Sequence, residues 1–175
     1  MTDTQSKIAA GLERAFAARG FAEPSVEDLR DAAGGSLRTL YKYTPSRADM
    51  VLAALEHRHG RYLSHLFNDL PKAQEAVLDV LFERVGAWMA IETSHGCLFH
   101  GAVAADPGSE GLRALLARHK AEVARRAAAA TGLDGREIDL LLILEGLTQA
   151  WSLHRDTAVT SAKRLGHGLR MNSAA

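Results

Sequence analysis

The stretch SVEDLRDAAGGSLRTLYKYTPSRAD, Ser25–Asp49, decides the fold. It reads as a short helix, a glycine turn, a second short helix and the start of a third. Ser25 is placed to cap the first helix, with Asp28 opposite it at the N3 position. Val26, Leu29 and Ala33 recur at helical spacing and give that helix an inward face. Gly34-Gly35 stops it where a left-handed residue is usual. Ser36 caps the next helix, whose Leu37, Leu40 and Tyr41 follow the same period. Pro45 cannot continue it, and Ser46, with Asp49 at N3, caps a third. Two short helices joined by a three- or four-residue turn containing glycine form the helix-turn-helix signature. The second helix of that motif normally enters the DNA major groove.

Charge points the same way. The second helix and its exit carry Arg38, Lys42 and Arg47, with no acid between Ser36 and Ala48. Glu27, Asp28 and Asp31 sit on the preceding helix. Positive charge is therefore gathered on the element that would have to meet phosphates. The plainer alternative is a solvated helical hairpin inside a bundle.

Ile8 to Leu55, about a quarter of the chain, resembles the DNA-binding domain of TetR-type (tetracycline-repressor-like) transcriptional regulators. The resemblance lies in an apolar first helix ending ARGF, then SVEDL, AAG, and TLY followed three residues later by PSR. Three positions depart from the family pattern: Gly35 for an aliphatic residue, Tyr43 for histidine and Thr44 for phenylalanine. The resemblance implies that Leu37, Arg38, Thr39, Lys42 and Tyr43 face bases. It implies that Tyr41 and Arg47 contact phosphate, with Ser25 donating to phosphate at the start of the preceding helix. Arg38 is the natural guanine reader, because its fork meets both acceptors of that base. Leu37 offers only apolar contact, such as to a thymine methyl. Thr44 predicts looser packing beneath the recognition helix.

Outward from this stretch, the 175 residues suit one medium domain, or a small domain joined to a larger one. One cysteine precludes an internal disulfide. No signal peptide or membrane-length apolar run is visible, so a cytoplasmic protein without membrane contact is expected. Lys+Arg and Asp+Glu number 21 each. That balance excludes a strongly basic nucleic-acid binder and favours a local basic element that works in a dimer. Alanine and leucine abound without strand-like alternation, so the class is all-α, with about nine helices. The expected parts are a three-helix helix-turn-helix domain over 1–47 and a helical effector-binding and dimerisation domain over 48–175.

Residues 1–5 are polar and expected to fray. Helix one is expected from about Ser6 to Arg19, with Ile8, Leu12, Ala15 and Phe16 inward, Gly20 closing it and Phe21 folding back on Phe16. Helix four should run from Arg47 to Phe67 or Asn68; by resemblance, its movement would transmit ligand binding. Helix five should reach about Thr93 with Val77, Leu78, Leu81, Phe82, Val85, Trp88 and Met89 inward. Gly96-Cys97-Leu98-Phe99 opens a short sixth helix, and Ser109 caps a seventh running to Thr131. Gly135–His154 and Thr157–Arg170 are the last two, with the tail after Met171 disordered. Leu140 to Leu144 is apolar without interruption, so one side of that turn must meet the core and the other a partner. The candidate dimer interface is Leu140, Leu141, Leu142, Leu144 and Leu147; the alternative is a wholly central helix of a monomer.

Chemistry is sparse. Glu92, His95, Cys97 and His100 have the residue types of a transition-metal or thiol site. They lie across a turn and a helix start, so a packing role is preferred, with Cys97 a small buried hydrophobe. No nucleophile motif or phosphate-binding glycine loop is present, so no catalytic residue, metal or cofactor is expected. Trp88, Met89, Phe99 and Trp151 are candidate walls of an effector cavity, with Glu92 or His154 orienting a polar ligand. The expected function is a ligand-responsive regulator, most naturally a repressor, that binds a palindromic double-stranded operator as a homodimer and leaves it when a small-molecule effector binds. Two alternatives stay open. One is an all-α small-molecule-binding protein whose helix-turn-helix is not used for DNA. The other is a metal- or thiol-dependent enzyme built around Cys97.

Overall fold

Small polar residues set the helix starts. A computed structural model describes residues 2–92 and 96–173. Among them lie eight α-helices and no strand: α1 (Asp3–Arg19), α2 (Val26–Ala33), α3 (Leu37–Tyr43), α4 (Arg47–Phe67), α5 (Gln74–Glu92), α6 (Leu98–Ala105), α7 (Glu110–Thr131) and α8 (Glu137–Ser173). The chain divides into two compact units, residues 1–61 with 98–117 and residues 62–97 with 118–175. The expected boundary between residues 47 and 48 falls within the first unit. Among the described residues, no helix is long and apolar enough to cross a membrane.

In the first unit, α1 starts earlier than expected. Thr2 Oγ1 accepts the Gln5 N–H, and Gln5 Oε1 accepts the Thr2 N–H at 2.9 Å. This reciprocal cap makes residues 3–5 helical rather than frayed. Ile8, Leu12, Ala15 and Phe16 are buried, as their spacing predicts. The Gly20 N–H closes on the Phe16 carbonyl, and Phe21 stacks on Phe16 with centroids 5.2 Å apart. The Ser109 hydroxyl caps α7 by accepting the Leu112 N–H at 3.3 Å.

In the second unit, the apolar face predicted for α5 is buried at all seven positions, from Val77 to Met89. Burying a side chain such as Phe82 contributes about 2 kcal/mol. Helices α5 and α8 pack side chain onto glycine: a Cβ on Gly86 would lie 2.7 Å from Val159 Cγ2, and one on Gly166 would lie 2.6 Å from Phe82 Cε2. Arg84 closes α4 from across the turn. It donates to the carbonyls of Leu66 at 2.9 Å and Asn68 at 2.5 Å, acceptors that a helix end leaves over. Residue Thr93, the expected end of α5, lies outside the described residues.

Helix α8 begins at Glu137, two residues later than expected, because Gly135 has φ 80. It breaks at Arg155, where φ is 45 and ψ −126, so it forms two rods, 137–154 and 156–173. The expected break before Thr157 is thereby present. The second rod continues through Ser173, so residues 172–173, expected to be disordered, are helical; the Ser173 hydroxyl accepts from Arg136 at 2.9 Å.

Candidate DNA-binding site

Helix α2 is held by a reciprocal cap. Ser25 Oγ accepts the Asp28 N–H at 3.1 Å, and Asp28 Oδ2 accepts from both the N–H and the hydroxyl of Ser25, at 2.8 and 2.6 Å. These bonds, with Arg19 behind them, lower the Asp28 carboxyl to a pKa of about 2. Gly34 takes the left-handed conformation, φ 69 and ψ 33, and ends the helix as its position predicts. Ser36 then caps α3, accepting the Thr39 N–H at 3.1 Å, and its hydroxyl lies 3.0 Å from that of Thr39.

Helix α3 is short, and only Leu40 among its residues is fully buried. Arg38, Tyr41 and Lys42 are exposed, with Leu37, Thr39 and Tyr43 half-buried beside them. The inward role expected for Tyr41 is therefore corrected: 43% of it is exposed. The Lys42 ammonium lies 5.3 Å from the centroid of the Tyr43 ring. Thr44 ends the helix. It is buried and donates its hydroxyl to the Leu40 carbonyl at 2.8 Å, so this position is filled and its hydroxyl satisfied. Ser46 and Asp49 repeat the reciprocal cap at the start of α4.

Two expected DNA contacts have other work. The Arg47 guanidinium donates to the carbonyls of Phe21 at 2.7 Å and Pro24 at 2.9 Å. It ties the α1–α2 loop to the first turn of α4 and is directed inward. The Ser25 hydroxyl proton is committed to Asp28, whose negative charge disfavours a phosphate there. Sequence spacing could not distinguish an arginine bound to loop carbonyls from one bound to a phosphate. What remains is a surface built by Leu37, Arg38, Thr39, Tyr41, Lys42 and Tyr43.

The backbone superposes on a TetR-family transcriptional regulator from Streptomyces coelicolor with a TM-score of 0.81, at 18% identity over 99% of this chain and 91% of that one. The chain has the TetR fold. A TetR regulator from Haloarcula marismortui gives 0.79, at 17% identity over 98% of both chains. The reduced form of E. coli NemR gives 0.78, at 19% identity over 97% of both. Neither a protein-family model nor a curated relative matches the sequence.

Within this TetR fold, the effector candidates separate. Trp88, Met89 and Trp151 belong to one apolar core in the second unit. Trp88 meets Tyr62 edge-on at 5.1 Å and His65 at 5.3 Å, and the buried His119 lies 5.4 Å from Tyr62. Arg155, at the break in α8, stacks 4.1 Å over Trp151. Phe99 is buried within the first unit, and Glu92 is half-buried at the end of α5. His154 is exposed and not part of that core. It lines an apolar groove of about 570 Å³ along α8, with Leu142, Gly146, Ala158, Ala162 and Leu165.

The candidate dimer residues divide by face. Leu140 and Leu144 are buried in the core of the second unit, which corrects their assignment to the interface. Leu141 is half-buried, Leu147 lies on the groove floor, and Leu142 stands 67% exposed at its edge. The second rod supplies residues that the sequence reading missed, Ala158, Ala162 and Leu165. Their apolar period was visible, but only the fold brings that period beside Leu142.

Cys97 is half-buried rather than a closed hydrophobe. Lys120 Nζ donates to its Sγ at 3.3 Å and to Glu145 Oε1 at 2.6 Å. Neither partner was singled out in the sequence. His95 lies outside the described residues.

Proposed function

We propose that the chain is a cytoplasmic, DNA-binding transcriptional regulator that reads a palindromic operator as a homodimer. The observation that carries this is α3. It presents Arg38, Tyr41 and Lys42 outward, with Thr39 half-buried beside them, on a capped helix-turn-helix, with no acid from Ser36 to Ala48. Arg38 reads guanine, Leu37 and Thr39 give apolar and hydroxyl contacts, Lys42 and Tyr43 face bases beside them, and Tyr41 meets phosphate. The Tyr43 ring lies 5.3 Å from the Lys42 ammonium. Modest affinity per subunit, expected from a neutral chain, makes two half-sites necessary.

The second copy docks on the α8 groove. Its apolar floor, with Leu142 and Leu165 exposed at the edges, suits a self-complementary interface. A small-molecule effector enters the second unit beside Trp88, Met89 and Trp151, where apolar walls meet the polar edges of Tyr62, His65 and His119. An effector that favours a different spacing of the two α3 helices draws the population off DNA, and the regulator acts as a repressor. A ligand with equal affinity for both spacings changes nothing.

The test is a selection from random duplex DNA with purified protein at moderate salt. Enrichment of a palindrome with half-sites separated by about 34 Å, one turn, is expected. A folded protein that enriches nothing would instead fit a ligand-binding protein that has no use for its helix-turn-helix.

A further inference from the structure

Glu13 is an acid inside a helix core. It lies on α1 between Leu12 and Ala15, and its side chain is 2% exposed. Two arginines and a histidine from one stretch of α4 converge on it. Its Oε1 accepts from Arg58 at 3.0 Å and Arg61 at 2.8 Å, and its Oε2 lies 2.6 Å from His57 Nδ1. Arg58 is itself buried. The DNA-contacting surface proposed above uses none of these groups.

We propose that Glu13 is a positioning residue for DNA binding: it locks α4 to α1 and so fixes the setting of the helix-turn-helix on α4. The proposal rests on the reading of α3 as the DNA-contacting helix. A buried carboxylate is tolerated only while its partners keep good geometry. A leucine in its place could slide along α4; a carboxylate with three directed partners cannot. The opposite side of α1 is equally fixed. A Cβ on Gly11 would lie 2.1 Å from the Ala32 carbonyl oxygen, so α1 rests directly on the backbone of α2. From Gly34 the chain turns into α3. Contact is thus continuous from α4 through Glu13, α1 and α2 to α3. Arg47 makes a second tie at the other end, from the start of α4 to the α1–α2 loop. Helix α4 continues past Arg61 to Phe67.

The test separates position from stability. The paired change Glu13→Met with Arg58→Met removes the ionic lock but fills the same space, an exchange that leaves folded stability equal or higher. His57 and Arg61 are open enough to turn to water. Spin labels go on Ala18→Cys of α1 and Gly60→Cys of α4, both exposed, in a Cys97→Ser background. Expected are an unchanged or raised thermal midpoint, a broadened label-to-label distance without DNA, and roughly tenfold weaker binding to the selected palindrome. A wild-type distance distribution, or a broadened one with wild-type DNA affinity, would overturn the proposal. If the paired variant does not fold, Arg61→Gln removes one leg at a side chain already open to water; unchanged distance and affinity there would overturn it equally. If the wild-type chain itself binds no DNA, the reading of α3 has failed, and the distance distribution alone decides the lock.

Discussion

Single side chains divide into those that face outward from α3 and those that hold it. Arg38→Ala should cost about 1–3 kcal/mol of DNA affinity and relax specificity at one base pair. A panel of operator variants measures this; equal loss on every sequence would make Arg38 a phosphate contact. Arg47→Ala should behave differently, because its guanidinium is held by two loop carbonyls. Urea unfolding should show about 2 kcal/mol lost, while the salt dependence of DNA binding stays the same. A slope reduced by about 1 would return Arg47 to the phosphate contacts. Asp28 gives a pH prediction whose sign follows from its lowered pKa. A folded-state value of about 2, against the ordinary 3.8, means the cap's contribution is complete above the ordinary value. It is lost as pH falls through the folded value. Following the Asp28 carboxyl by NMR should give that low midpoint, and Asp28→Asn should abolish this part of the acid dependence. A midpoint at the ordinary value would show that the cap is open in solution.

At the level of elements, the capping pairs were legible and the helix contacts were not. Ser25 with Asp28, Ser36, and Ser46 with Asp49 act where spacing put them, because a cap is a local event within four residues. Tyr41 was misread as inward because a helix of seven residues is too short for its period to settle which face is covered. The closeness of α1 to α2 through Gly11 left no sign in the sequence, since one glycine in a helix has many causes. It makes a prediction. Gly11→Ala forces its methyl into the Ala32 carbonyl and should cost about 3 kcal/mol by denaturant unfolding. A variant of wild-type stability would show that the two helices separate easily.

Across the whole molecule, the apolar run Leu140–Leu144 was correctly divided between an inner and an outer side, but not residue by residue. Leu140 and Leu144 face the core, and Leu142 faces out with Leu165 from the second rod. Leu142→Glu combined with Leu165→Glu should therefore leave each chain folded and hold it monomeric. Sedimentation equilibrium with a circular dichroism spectrum checks this. A dimer that survives both charges would place the second copy elsewhere.

By itself the sequence determined the local structure: an all-helical chain, the helix-turn-helix, the caps, and which residues of α5 turn inward. Those follow from spacing and capping over one or two turns, where the interacting groups are near in sequence. Tertiary structure decided the long-range partners. It turned Arg47 onto loop carbonyls, set Lys120 between Cys97 and Glu145, and buried Glu13 under His57, Arg58 and Arg61 of α4. Charged side chains are long, and the same composition serves a solvated face or a buried pair. Only the folding of distant helices against one another selects the acceptor each one reaches.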